Sequence, residues 1–491
     1  MPEDLAYRTA TGLLALLESG TVSSLDLTRA AIARIEALDG AINAVVLRRF
    51  EAALAEAAAA DAARRRGERA PLLGLPMTVK ESFNLAGLPT SWGLPSHRDW
   101  RPAEDAAAVA RLRAAGAVIL GKTNVPFMLD DWQSFNPVYG TTGNPWDLGR
   151  TPGGSSGGSA AALAAGFVPL ELGTDIGGSL RVPAHFCGVL AHAPSLGLVP
   201  VRGHVPPGVP AIPRESDLMV AGPMARSAAD LSLLLDVIAG PDGPQAAGYR
   251  LALPPPRFES LAECRVLVVT EHPLVPLGRE VAAAVEGFAD RLAPKVKRLG
   301  RDAGLLPDLS TGARVYMRLL SAGFAADASA EVLSRSRAAV AAMAAEDDSL
   351  RAHSLRGLLM DHGEWIRADR IRTGFRHRWS VFFRDWDVVV APAFALPALP
   401  HDHSPAPRMC EIDGTLCREG DQLGWAGIST MPGLPSTAFP VGRSAAGLPI
   451  GLQAIGPFLE DRTTIAFAGL VAQAFGGFAP PPLSSAAMPA S

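Results

Sequence analysis

The chain has little cysteine, little net charge and no long apolar run, and each shortage argues against a class of protein. Its cysteines are too few and too scattered for a disulfide scaffold, which favours a reduced compartment and a cytoplasmic location; they are Cys187, Cys264, Cys410 and Cys417. A net charge of −4 provides no broad basic surface, so we expect no nucleic-acid partner. No segment offers about 18 uninterrupted apolar residues, so we expect no membrane span.

The 491 residues are 48% hydrophobic, which is enough for a large buried core. Amphipathic helical stretches alternate with short apolar strands such as "AVILG" at 117–121 and "WDVVVAPA" at 386–393. This alternation predicts an α/β fold in which helices cover both faces of a sheet. One predicted helix contains Leu27, Ile32 and Leu38 at helical spacing and is expected to stop at Gly40.

A glycine- and serine-rich stretch, "TPGGSSGGS" at 151–159, allows three interpretations: a linker, a phosphate cradle, or a loop that presents serine hydroxyls. The composition does not shift across it, which disfavours a linker. No lysine follows the glycines as it does in a P-loop, and no strand precedes them. "GGSSG" matches a nucleophile elbow in form, but the strand and a supporting histidine context are missing.

Serine chemistry without histidine needs another base, and Lys80 is a candidate because it closes the apolar run "LLGLPMTV". An amine with a free pKa near 10.4 becomes a base at neutral pH only when burial lowers that value by several units. The ordinary alternative is a surface lysine paired with the adjacent Glu81, and the residues alone leave both interpretations open.

Taken together, the motifs strongly resemble the amidase signature family. The resemblance rests on "GGSSGGSAAALAAGFVPLELGTDIGGSLRVPA" together with "GLPMTVKESFNLAGLPT", "AAGAVILGKTNVP", "NPVYGTTGNPWD" and "GLPSTAFPVGRSAAGLPIGLQAIGP", and it covers most of the chain. The spacings fit the family too, because Lys80 precedes Ser155 by 75 positions and Ser155 precedes Ser179 by 24.

The resemblance implies the amidase signature fold, an α/β architecture with a single large mixed β-sheet, and it suggests how the chain is organised. We expect an N-terminal helical region (1–60) and a core with the catalytic loops (61–240). A cap region with core strands, mostly helical over 276–382, follows (241–420). The chain ends with the C-terminal part of the core (421–478) and a disordered tail (479–491).

The resemblance also implies a site. Ser179 matches the family nucleophile, Ser155 the bridging serine that follows a cis peptide, and Lys80 the general base and acid. Other residues matter less directly: the backbone N–H groups of Ile176, Gly177, Gly178 and Ser179 would form an oxyanion hole; Ser156, Asp175 and Arg181 would support the loops, the last two as an ion pair; Met128, Leu129 and Trp132 could line a substrate pocket.

This site requires no cofactor and no metal, and the spacing of His401, His403, Cys410 and Cys417 matches no usual zinc ligand set. The predicted function is a serine amidohydrolase (an amidase) that cleaves a small-molecule carboxylic amide, with ester, anilide or carbamate cleavage possible at the same site. One alternative is the glutaminase-type component of a tRNA-dependent amidotransferase, and another is a non-catalytic binding protein. A homodimer is possible.

Overall fold

The computed structural model describes residues 3–405 and 407–483. Its strands, numbered in chain order, are β1 Val45–Arg48, β2 Pro76–Lys80, β3 Val118–Thr123, β4 Phe135–Asn136, β5 Gly140–Thr141, β6 Leu170–Asp175, β7 Leu190–Ala193, β8 Val220–Ala225, β9 Arg265–Val268, β10 Arg298–Gly300, β11 Val388–Pro392, β12 Met409–Ile412, β13 Thr415–Arg418, β14 Ser436–Arg443 and β15 Pro449–Ile455.

The α-helices are α1 Glu3–Ala6, α2 Ala10–Glu18, α3 Ser24–Ile42, α4 Phe50–Arg65, α5 Ala107–Ala114, α6 Gly157–Ala164, α7 Arg181–Cys187, α8 Ala228–Ile238, α9 Gln245–Gly248, α10 Arg279–Leu292, α11 Leu309–Ala325, α12 Ala330–Ala341, α13 Leu350–Leu358, α14 His362–Phe382, α15 Leu423–Thr430 and α16 Asp461–Phe475.

Eleven strands form one sheet in the order β1-β3-β2-β6-β8-β7-β14-β15-β11-β9-β10, with two separate hairpins, β4-β5 and β12-β13. The sheet is mixed. β2 runs parallel to both β3 and β6, whereas β6 pairs antiparallel with β8. The parallel trio matters for function, because the carboxyl ends of β2 and β6 meet at one edge of the sheet.

Both faces of the sheet are buried, as β11 illustrates. Val388 and Val390 pack into one hydrophobic cluster, while Val389 and Ala391 pack into another on the opposite face. This alternation follows from the two-residue period of a strand, and it explains why β11 is apolar throughout.

Amphipathic helices cover each face. On α10, the buried residues recur at helical spacing and give the helix one apolar side: Val281, Val285, Phe288, Ala289 and Leu292. The first face also receives apolar residues of α2, α5, α8 and α16. The other face is covered by α3, α4, α6 and α7 near β3 and by α11, α14 and α15 near β11.

The predicted fold class, a single large mixed sheet with helices on both faces, is confirmed. Two local predictions were wrong. The region 1–60 is not wholly helical, because Val45–Arg48 forms an edge strand antiparallel to β3. Helix α3 continues past Gly40 to Ile42 and is ended by Asn43 in the left-handed conformation (φ 58°).

The proposed domain boundaries stay predictions, and residues 484–491 of the predicted tail lie outside the described residues. Within the described part of the chain, no helix combines the length and apolarity needed to cross a bilayer.

Candidate active site

Lys80 is the last residue of β2, and its side chain is completely buried. Its Nζ lies 2.7 Å from the Oγ of Ser155 and 2.8 Å from the Oγ1 of Thr174. Burial lowers the pKa of Lys80 to about 7, with the negative charge of Asp175 acting in the opposite direction. At neutral pH a substantial fraction of this amine is therefore uncharged and able to accept a proton.

The ordinary alternative for Lys80 was a salt bridge with Glu81, and the structure shows a different arrangement. Glu81 accepts hydrogen bonds from the backbone N–H groups of Ser91 (2.6 Å) and Trp92 (3.0 Å). Lys80 is left with two neutral hydroxyl partners, which stabilise an uncharged amine better than a carboxylate would.

The first glycine loop brings Ser155 to the lysine. The peptide bond between Gly154 and Ser155 is cis. A Cβ on Gly154 would lie 2.2 Å from the carbonyl oxygen of Asp131, so only glycine fits at this contact. Ser156 joins this loop to the next one, because its N–H donates to the carbonyl of Ser179 (3.1 Å) and its Oγ to the carbonyl of Thr174 (3.3 Å).

Ser179 lies in the second loop, between β6 and α7, and is 6% exposed. Asp175 and Arg181 bracket this loop as a fully buried pair, with Arg181 Nη2 2.8 Å from Asp175 Oδ1 and Nε 3.0 Å from Oδ2. Although burial alone would raise the pKa of Asp175, the Arg181 guanidinium and the N–H groups of Gly178 and Leu180 hold it below its ordinary value. The pair therefore stays ionised and braces the loop.

The four predicted oxyanion donors are not equivalent. The N–H of Gly178 donates to Asp175 Oδ1 at 2.8 Å, so it is already committed. The N–H groups of Ile176, Gly177 and Ser179 have no hydrogen-bond acceptor among the described residues. These three N–H groups are consequently the ones free to receive an oxyanion, and Gly178 instead serves the ion pair.

Of the three predicted pocket residues, only Trp132 contacts the second loop. Its Nε1 donates to the carbonyl of Gly177 at 3.0 Å. Met128 and Leu129 lie in a short turn with φ of 53° and 63°, and their N–H groups donate to the carbonyls of Trp92 and Pro126 rather than to either loop.

Two residues at the site were missed by the sequence analysis. Thr174, in the motif "GTDIGGS", shares the lysine with Ser155, and a hydroxyl at a strand end was a signal that could have been noticed. Tyr316, on α11, donates from its hydroxyl to the carbonyl of Ile176 at 2.6 Å. The sequence carried no signal for this contact, because 140 positions separate the two residues.

This geometry agrees with comparisons to known proteins. The amidase family model matches residues 26–465. AtzE, a component of the 1-carboxybiuret hydrolase of Pseudomonas sp. (strain ADP), is 35% identical over 462 residues, which cover 89% of this chain and 92% of the relative. The GatA-type component of the glutamyl-tRNA(Gln) amidotransferase of Moorella thermoacetica is 32% identical over 500 residues, covering 93% and 94%.

Among solved structures, 6-aminohexanoate cyclic dimer hydrolase, determined with its substrate, superimposes with a TM-score of 0.75 at 26% identity, covering 96% of this chain and 97% of that one. The chain belongs to the amidase family.

Proposed function

We propose that this protein is a serine amidohydrolase in which Ser179 is the nucleophile, Ser155 the proton relay and Lys80 the general base and acid. The observation that carries the proposal is the fully buried Lys80 amine, 2.7 Å from Ser155 and with its pKa near 7. An amine in this state can activate a serine hydroxyl without a histidine.

The reaction begins with a proton transfer. Neutral Lys80 takes a proton from the Ser155 hydroxyl, which takes one from Ser179, and the Ser179 oxygen attacks the amide carbonyl. The carbonyl oxygen gains negative charge and is stabilised by the free backbone N–H groups of the second loop. The proton returns through Ser155 to the leaving nitrogen, and the C–N bond breaks.

An acyl-enzyme on Ser179 remains after the amine leaves. Water then attacks the ester carbonyl, and Lys80 and Ser155 accept its proton and return it to the Ser179 oxygen, which releases the carboxylic acid. Each step needs only the substrate, water and these side chains. The substrate is a small-molecule amide, and an ester, anilide or carbamate offers the same carbonyl to the same nucleophile.

The similarity to a component of a tRNA-dependent amidotransferase supports a second candidate, release of ammonia from glutamine. The same three residues would carry out that reaction, so the distinction depends on the substrate and on partner proteins. Purification with such partners and measurable glutaminase activity would favour it. A homodimer and a cytoplasmic location stay predictions.

The decisive experiment is labelling with a fluorophosphonate probe followed by mass spectrometry. We expect a single adduct on Ser179 in the wild-type protein and none in Ser179→Ala. The same two proteins are then assayed on acyl amides, anilides, esters, carbamates and glutamine. Labelling elsewhere, or no hydrolysis of any panel member, contradicts the proposal. No labelling at all would favour a non-catalytic binding protein.

A further inference from the structure

The second loop has an unusual feature: side chains from distant parts of the fold hold its backbone carbonyls. Tyr316 OH donates to the carbonyl of Ile176 at 2.6 Å, and Trp132 Nε1 donates to the carbonyl of Gly177 at 3.0 Å. The carbonyl of Gly178 accepts from the N–H of Val182 at 2.7 Å. Three consecutive carbonyls of the loop are therefore fixed in direction.

A planar trans peptide couples these contacts to the N–H groups, because its C=O and its N–H point in opposite directions. The contact between Tyr316 and the Ile176 carbonyl therefore turns the N–H of Gly177 away from Tyr316. The contact between Val182 and the Gly178 carbonyl likewise orients the N–H of Ser179. The peptide between Gly177 and Gly178 is held at both ends, by Trp132 and by Asp175.

We infer that Tyr316 is a positioning residue for the oxyanion hole: its hydroxyl fixes the peptide that presents the Gly177 N–H to the reacting carbonyl oxygen. This inference rests on the proposed function. It also gives the helical segment 276–382 a role beyond covering the site, because α11 then completes the catalytic loop.

The surroundings of Tyr316 fit a fixed hydrogen-bond donor. Its side chain is fully buried, and its ring packs so closely on α15 that a Cβ on Gly427 would lie 2.6 Å from Cδ1. Burial raises the pKa of the Tyr316 phenol, so it keeps its proton and can only donate to a carbonyl. Close packing fixes the position of the ring, and the hydroxyl transmits that position to the loop.

The test is Tyr316→Phe, which keeps the ring and removes only the hydroxyl. Removing an oxyanion donor outright costs about 10²–10³ in kcat, so a misaligned donor should cost less, roughly tenfold, with KM within about twofold. The affinity for a trifluoromethyl ketone should fall by the same factor, because this inhibitor forms a tetrahedral adduct with an oxyanion. The affinity for the product acid should not change.

Tyr7→Phe is the matched control. It also removes one hydroxyl, which accepts a hydrogen bond from Arg34 at 2.8 Å, remote in sequence from both catalytic loops. Its kcat and trifluoromethyl ketone affinity should equal those of the wild type.

Three results would separate the possibilities. An unchanged kcat and ketone affinity in Tyr316→Phe overturns the inference. A raised KM with unchanged kcat also overturns it, because Tyr316 would then contact substrate instead. If wild-type Ser179 forms no adduct with the probe, the proposed function itself fails. Should Tyr316→Phe not fold by circular dichroism, Trp132→Phe tests the adjacent carbonyl, with the same parallel fall in kcat and ketone affinity expected.

Discussion

Burying the Lys80 amine reduces the stability of the fold, and replacing it should recover that free energy. The pKa of Lys80 falls from 10.5 to about 7 on folding. Since one pKa unit corresponds to about 1.4 kcal/mol, keeping this lysine buried at pH 7 costs about 4 kcal/mol relative to the unfolded chain. Lys80→Met removes that cost. It also removes two neutral hydrogen bonds worth about 1 kcal/mol each, so we expect a net stabilisation of about 2 kcal/mol.

The sign of this effect changes with pH. A lysine whose pKa is depressed on folding destabilises the protein fully below its folded value, and the cost disappears as pH rises toward the unfolded value. At pH 10 only about 1 kcal/mol of the cost of burying Lys80 remains, less than the hydrogen bonds contribute. Lys80→Met should therefore be more stable than the wild type at pH 7 and about 1 kcal/mol less stable at pH 10.

Urea unfolding followed by tryptophan fluorescence at both pH values measures the difference directly. Lys122→Met is the matched control, because Lys122 is another fully buried lysine, with its pKa lowered by burial to about 8. It should show the same trend with pH while retaining activity, whereas Lys80→Met should be inactive. A Lys80→Met variant that is less stable at pH 7, or a difference that does not vary with pH, would refute a neutral buried amine.

Three further predictions concern the loops and the proton path. Lys80→Ala should lose amide cleavage more severely than ester cleavage, because an amine leaving group needs the returned proton more; matched kcat/KM series showing equal losses would argue against that role. Asp175→Ala leaves the Arg181 charge buried without its partner and should cost about 3–5 kcal/mol in urea unfolding, while Glu68→Ala, which breaks an exposed pair, should cost under about 1 kcal/mol. A loss for Asp175→Ala as small as that of the control would mean that the pair does not brace the loop. Gly154→Ala places a Cβ against the Asp131 carbonyl and should abolish probe labelling of Ser179; unaltered labelling kinetics would show that the loop adjusts.

The loop residues could be predicted because their pattern is local. Glycines and serines at fixed positions, with Lys80 at the end of an apolar strand, marked the chemistry, and the structure brings Lys80 and Ser155 into contact. The pairing of Asp175 with Arg181 could also be predicted, since six positions and one loop separate them.

The remaining features arise from contacts between distant segments, and local sequence carries no signal for them. Strand β1 was missed because four residues between two helices form a strand only when β3 lies beside them. The commitment of the Gly178 N–H to Asp175 depends on loop geometry rather than on residue type. Tyr316 reaches the second loop only because α11 packs against α15.

The most direct test of the central claim is the pH dependence of Ser179 acylation. The rate of fluorophosphonate labelling, measured from pH 5 to 9, should rise with pH and level off, with a midpoint near pH 7 set by loss of the proton from Lys80. In Lys80→Met the rate should be very low at every pH. A wild-type rate that does not change across this range, or a Lys80→Met variant that keeps the wild-type profile, would contradict a buried neutral lysine as the base.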